Sequence, residues 1–221
     1  LKWLIDFILE MVLNFYKLMK QLKTLSIKLL KNNNSFNMKN KKIFIIFFCL
    51  FLNLSEVLAD ERKDQLNKLF KELKIDNPVL TFEVEQKIWK IWSTHPKRNK
   101  LTLMLSEGSD LVKKDQLNEA VKVFTKVIEL DPNWAEAWNK RATVLYLLGE
   151  FQKSQKDIDE VLKLEERHFG ALAGQGLVNI QLKNYEKAIM SYKKAQKIYP
   201  SMKSPKFMIK EIEELIKKQS I

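Results

Sequence analysis

Residues 101–202 repeat with a fixed period of 34, and no other feature of the chain restricts its fold as much. Three segments, 101–134, 135–168 and 169–202, follow one another without a gap. Their eighth places hold Gly108, Ala142 and Gly176, and their twentieth places hold Ala120, Ser154 and Ala188. Phe124, Ile158 and Tyr192 stand at the twenty-fourth place, Leu130, Leu164 and Ile198 at the thirtieth, Pro132, Glu166 and Pro200 at the thirty-second. Each copy reads as two amphipathic helices of about 14 residues with a short break between them. Small residues at the eighth and twentieth places let the two helices cross closely, and the large residue at the twenty-fourth fills the space beside them. The breaks carry turn chemistry at Asp115, Gly149 and Lys183-Asn184, with Gly149 suited to the left-handed position after a helix. Asp131-Pro132-Asn133 and Tyr199-Pro200-Ser201 end the second helices, because proline cannot continue the ladder. Neither helix of a pair buries its apolar face alone, so the copies must stack. The expected fold is an all-α, right-handed α-solenoid whose inner wall is lined by the first helix of each pair.

Both flanks supply further helices. Over 203–221, Ser204 is the expected N-cap and Pro205 the first helical residue, and Phe207, Met208, Ile212, Leu215 and Ile216 form the apolar stripe of a C-terminal capping helix. Over 60–100, Glu61–Lys74 and Leu80–Thr94 read as a helical pair divided by Asp76-Asn77-Pro78. Its second helix carries Phe82, Val84, Ile88, Trp89, Ile91 and Trp92 and ends at His95-Pro96. This pair is expected to be a degenerate fourth unit that packs on the first true repeat.

These residues resemble the tetratricopeptide repeat (TPR) family, and in particular its short exported members from Gram-negative bacteria. The fourth place has Met104, Trp138 and Leu172, where the family favours a large apolar residue; the twenty-seventh has Val127, Val161 and Ala195, where it favours alanine. In the third copy Leu172, Gly176, Tyr185, Ala188, Tyr192, Ala195 and Pro200 stand close to the family consensus. The middle copy departs at Leu145, Ser154 and Glu166 without shifting the period. The resemblance implies that the second, fifth, ninth and twelfth places of each first helix face a concave groove that contacts a peptide. Those places are Thr102, Leu105, Ser109 and Val112; Glu136, Asn139, Thr143 and Tyr146; Gly170, Ala173, Leu177 and Ile180. Asn139 offers an amide to a ligand backbone, and Tyr146 an aromatic face with a hydroxyl. Leu177 and Ile180 have a second reading, as packing for the C-terminal helix. One subfamily clamps a C-terminal carboxylate with lysine, asparagine and arginine on this wall; only Asn139 of such a set is present, so that clamp is not expected.

The first 59 residues differ from the rest. Met38–Ala59 has the three parts of a secretory signal peptide: Lys39, Lys41 and Lys42, then the apolar run Ile43–Leu54, then Val57 and Ala59 before a cut at Asp60. Cleavage would export the protein to the periplasm of a Gram-negative bacterium; the alternative is an uncleaved inner-membrane anchor. Residues 1–37 carry an amphipathic helix pattern with a narrow polar stripe of Asp6, Glu10, Asn14, Lys17, Gln21, Thr24 and Lys28. That segment reads either as an interfacial membrane helix or, preferably, as an upstream extension of a protein that starts at Met38. Nine of the 39 basic and three of the 27 acidic residues precede Asp60, so the formal charge of +12 falls to +6 for the remainder. The single cysteine, Cys49, lies in the same leader.

Composition narrows the function classes. Five glycines and five prolines in 221 residues argue against a turn-rich β fold. One cysteine rules out an internal disulfide and any multi-cysteine metal site. No phosphate-cradling glycine loop is present; Gly174-Gln175-Gly176 sits inside a helix, where Gly176 serves packing. His95 and His168 stand about two repeats apart and read as structural or solvated residues, not metal ligands. Glu213-Glu214 and Asp157/Asp159 lie on lysine-rich helices and read as solvated faces with local ion pairing. Only Arg62, Arg98, Arg141 and Arg167 are available to read phosphate, and the lysines alternate with acids, so no nucleic-acid partner is expected. The sequence thus points to a protein-binding scaffold with no catalytic residues, metal or cofactor. Its partner is a protein or peptide segment, and it meets a membrane only through the leader.

Overall fold

The computed structural model describes residues 61–75 and 77–219; the expectations for 1–37 and for the signal peptide at 38–59 lie outside them. Among the described residues the elements are all helices. We number them α1 (61–72), α2 (Pro78–Ser93), α3 (Asn99–Lys113), α4 (Leu117–Leu130), α5 (Ala135–Leu147), α6 (Phe151–Leu164), α7 (Phe169–Gln181), α8 (Tyr185–Ile198) and α9 (Lys203–Gln219). From α3 onward each helix packs on the next, which makes three helix pairs and a closing helix in one solenoid.

The crossings form where the period placed them. Tyr192 is buried against Gly176, where an added Cβ would stand 2.5 Å from the tyrosine ring. That approach admits glycine only, since atoms so close must displace each other. Phe124 fills the same position beside Gly108, and Ile158 and Ala142 share a buried cluster in the middle copy. Burial drives the Tyr192 hydroxyl pKa upward, which keeps the phenol neutral inside this core.

The break inside each pair is the same turn three times. The fifteenth places, Asp115, Gly149 and Lys183, have φ of 59°, 75° and 59°. Each follows a helix whose last carbonyls are satisfied in the Schellman pattern. Gln116, Glu150 and Asn184 donate N–H to the carbonyls of Leu111, Leu145 and Asn179, and the left-handed residues donate to Val112, Tyr146 and Ile180. A lysine in this conformation bears a Cβ–carbonyl clash of about 1 kcal/mol that glycine avoids. Lys183→Gly is therefore expected to stabilise the fold by about 0.5–1 kcal/mol, read as a rise in thermal midpoint of about 1–4 °C.

Two expectations need correction. Asp157 is not on a solvated face: it is buried and accepts both Nε and Nη2 of Arg141 at 2.7 and 2.8 Å, while Asp159 stays exposed and accepts from Gln155. Lysine-rich neighbours in sequence concealed this because the partner lies on the preceding helix. The second correction concerns the N-terminal pair, which does not stack on the first repeat as a further unit. Helix α2 packs on α5, and the outer side of the first repeat is left solvated. At the third, seventh and tenth places that repeat exposes Leu103, Glu107 and Asp110. The corresponding Ala137, Arg141 and Val144, like Ala171, Gln175 and Val178, are buried or half-buried against a neighbour.

Candidate functional site

Helix α2 starts from a rigid cap. Asn77 Oδ1 accepts the N–H groups of Val79 and Leu80 at 3.0 and 3.2 Å, and Pro78 follows at the first helical position. Thr81, Val84, Ile88 and Trp92 recur at helical spacing and are buried, and the last three share a cluster with Leu66, Leu69 and Phe70 of α1 and with Leu73 just after it. Along its length α2 crosses the three repeat junctions in reverse order. Its first turn meets the third junction, where the Thr81 and Ser201 hydroxyls lie 2.7 Å apart and Tyr199 donates its hydroxyl to Glu85 at 3.1 Å. Its last two turns meet the second junction. There Trp92 stacks on His168 with centroids 4.0 Å apart and rings 9° from parallel, while Trp89 meets His168 and Phe169 edge-on. Its C-terminal end meets the first junction, where Trp134 Nε1 donates to the Trp92 carbonyl at 2.8 Å.

Both histidines are structural hydrogen-bonding groups. His168 is fully buried and caps α7: Nδ1 accepts from Ala171 N–H at 3.1 Å. The ring proton must then sit on Nε2, which donates to Glu136 Oε2 at 3.1 Å. That buried carboxylate also accepts from Asn139 Nδ2 at 3.1 Å and holds Lys140 Nζ at 3.3 Å from its other oxygen. His95 Nδ1 accepts from the N–H groups of Lys97 and Arg98, and its Nε2 reaches Asp131 Oδ2 at 2.8 Å. Partial burial pushes the Asp131 carboxyl up, yet the hydrogen bonds from His95, the Asn133 amide and Arg98 outweigh it and hold the pKa below the ordinary aspartate range. Among the described residues no cluster of His, Asp and Glu could hold a metal.

The expected groove residues divide into two sets. Leu105, Glu136 and Asn139 are buried, Leu105 in the cluster around Phe124 and Trp134. Asn139 is engaged by Glu136, and Thr102 accepts from His95 N–H at 2.9 Å. Gly170 is covered by Trp89, whose ring would lie 2.6 Å from a Cβ at that place. Ala173 and Ile180 pack towards Tyr192 and Ile212, so the second reading of Ile180, packing against the C-terminal helix, describes its surroundings. Left accessible are Ser109, Val112 and Tyr146, which are half-buried, together with the exposed Thr143 and Leu177. Across this open face Gln181 Nε2 donates to the Tyr146 hydroxyl at 3.4 Å. The covering of the junction side was not anticipated. Its only trace in sequence was the Trp89, Trp92 and His168 set, since the edge-on and stacked ring pairs join segments more than 70 residues apart.

Stacked helix pairs joined by identical turns define an α-solenoid of the helix–turn–helix repeat class, a protein-interaction architecture. Two family models match the repeats: a TPR repeat over residues 108–149 and a tetratricopeptide repeat over 148–203. Residues 108–203 are thus repeats of the TPR family. A TPR repeat-containing protein of Rhizobium etli is 29% identical over 140 residues, covering 63% of this chain and 68% of that protein. Hsp70-Hsp90 organizing protein 1 of Glycine max is 28% identical over 95 residues, covering 43% of this chain. The match spans only 17% of the soybean protein's length. Among solved structures, the first TPR domain of Spaghetti, bound to the HSP90 peptide SRMEEVD, is similar with a TM-score of 0.52 and 20% identity. That similarity covers 53% of this chain and 93% of that domain. Neither matching family model describes an enzyme.

Proposed function

We propose that the protein is a non-enzymatic adaptor that holds an extended segment of a partner protein in the open part of its concave face. The observation that carries this reading is the accessible run of Ser109, Val112, Thr143, Tyr146 and Leu177, one or two from each first helix. Such a row presents hydroxyls and apolar edges at a repeating interval, which suits an extended backbone with alternating side chains. Leu105, Ala173 and Ile180 pack into the clusters behind this wall, and Glu136 and Asn139 bond each other at the junction beside it. The solved neighbour that carries a bound peptide is consistent with the same mode of use. The missing lysine and arginine clamp argues for a ligand other than an acidic chain terminus.

The leader supports a periplasmic location, with residues 38–59 removed on export; the alternative reading retains them as an inner-membrane anchor for an assembly factor. Among the described residues no helix is long and apolar enough to cross a membrane. Mass spectrometry of the protein from its cells decides between the two: a mature N-terminus at Asp60 supports release, and an intact Met38 in the membrane fraction overturns it.

The groove is tested by photo-crosslinking. A photoreactive residue at position 146 is expected to capture a partner, and Thr143→Arg with Leu177→Asp is expected to lower the yield at least about tenfold, because a charge and a bulky group then occupy the row. The same pair of charges placed elsewhere, at the exposed Met190 and Lys193, should leave it unchanged. Equal capture by both variants would place the binding surface outside this face.

A further inference from the structure

Helix α2 lies where a ligand of the groove would extend if it reached the repeat junctions. Trp89 fills the hollow above Gly170, Trp92 stacks on His168, and Glu136, a second-place groove residue, is buried at the same junction. Yet the pair is not built into the solenoid as a repeat is. Helix α2 packs on α5, which is not the helix that follows it in sequence, and the chain reaches α3 through the short segment 94–98. At its centre the interface leaves a mismatch: the buried Trp92 indole N–H has no acceptor among the described residues. A buried donor without a partner weakens the contact that contains it. At the other end α2 exposes Val79 and Phe82, 78% and 59% accessible, so the pair offers a free apolar end beside Leu80.

We propose that α1 and α2 form a displaceable cover, an intramolecular occupant that closes the junction side of the groove and lifts away as a unit to expose it. The solenoid keeps its own stacking when the cover leaves, because α3 to α9 contact one another in series. Closed, the protein offers the outer row only; open, it adds Gly170 and the Glu136 and Asn139 pair at the second junction. The inference takes its purpose from the groove reading, but its test needs no partner and stands or falls separately.

The test uses the full chain with Cys49→Ser, Thr81→Cys and Ser201→Cys. The two replaced hydroxyls are 2.7 Å apart, within reach of a disulfide. Hydrogen exchange is followed with the new pair reduced and oxidised. In the reduced protein the α1 and α2 amides are expected to exchange at least about tenfold faster than those of α5 to α8, and oxidation should slow the first group alone by at least about tenfold. Exchange of α1 and α2 at the rate of α5 to α8 in the reduced protein would make the pair an inseparable part of the fold and overturn the proposal. A second measurement uses a fluorescein-labelled synthetic peptide of residues 78–94 as probe. The Trp92→Ala chain should bind it at least about tenfold more tightly than the unaltered chain, and the oxidised lock should not bind it. Equal binding to all three, or none to Trp92→Ala, also overturns it.

Discussion

Arg141→Ala is expected to lower stability by about 3–5 kcal/mol. The guanidinium on α5 bonds both oxygens of Asp157 on α6, donates Nη1 to Thr125 Oγ1 on α4 at 3.1 Å, and lies 5.0 Å above the Trp138 ring. One side chain thus ties three successive helices across a repeat boundary. Its removal leaves the Asp157 carboxylate buried with no counter-charge, and the desolvation of that anion dominates the loss. For a domain of this size the thermal midpoint should fall by roughly 6–20 °C. The double variant Arg141→Ala/Asp157→Ala removes the stranded charge and should recover most of the loss; equal midpoints for single and double variants would show that the pair contributes by packing only. Arg141→Lys should behave more like alanine than like arginine, since an ammonium cannot make the two parallel bonds.

Trp92→Ala is expected to cost about 3–5 kcal/mol, but locally. The indole sits among Phe70, Trp89, His168 and Phe169, so its loss opens a cavity in the apolar cluster that joins α1 and α2 to the solenoid. The clusters around Phe124, Ile158 and Tyr192 contain none of these residues and should hold. Unfolding followed by circular dichroism should therefore split into two steps, the earlier one carrying the helical signal of α1 and α2 alone. A single cooperative transition, shifted down, would mean that the solenoid needs the pair in order to stand. His168→Ala should reproduce the early step more weakly, because the stack is lost while the tryptophan still fills much of the space.

The repeats were legible because their information is local. A small residue at the eighth place and a large one at the twenty-fourth meet within one helix pair, and turn residues act within four or five positions of themselves. Gly176 against Tyr192, the breaks at Asp115, Gly149 and Lys183, and the left-handed Gly149 followed from spacing and residue type; that Asp115 and Lys183 are left-handed as well came from the structure. The burial of Asp157 was not legible. A carboxylate among lysines looks the same whether it faces water or an arginine on the previous helix. The N-terminal pair, α1 and α2, was partly legible. Its two helices were legible, but the expectation that they pack on the first repeat was not met, although Glu107 and Asp110 at the seventh and tenth places of that repeat are exposed acids. Nothing in that pattern said where the displaced pair would go.

Sequence by itself determined that this protein is a stack of three helix pairs, because each pair buries its apolar face only against its own neighbours and the period records that contact. The tertiary structure alone decided which part of the concave wall is open. Trp89 and Trp92 reach Gly170 and His168 across more than 70 intervening residues, and such a contact depends on the summed path of every helix and turn between them.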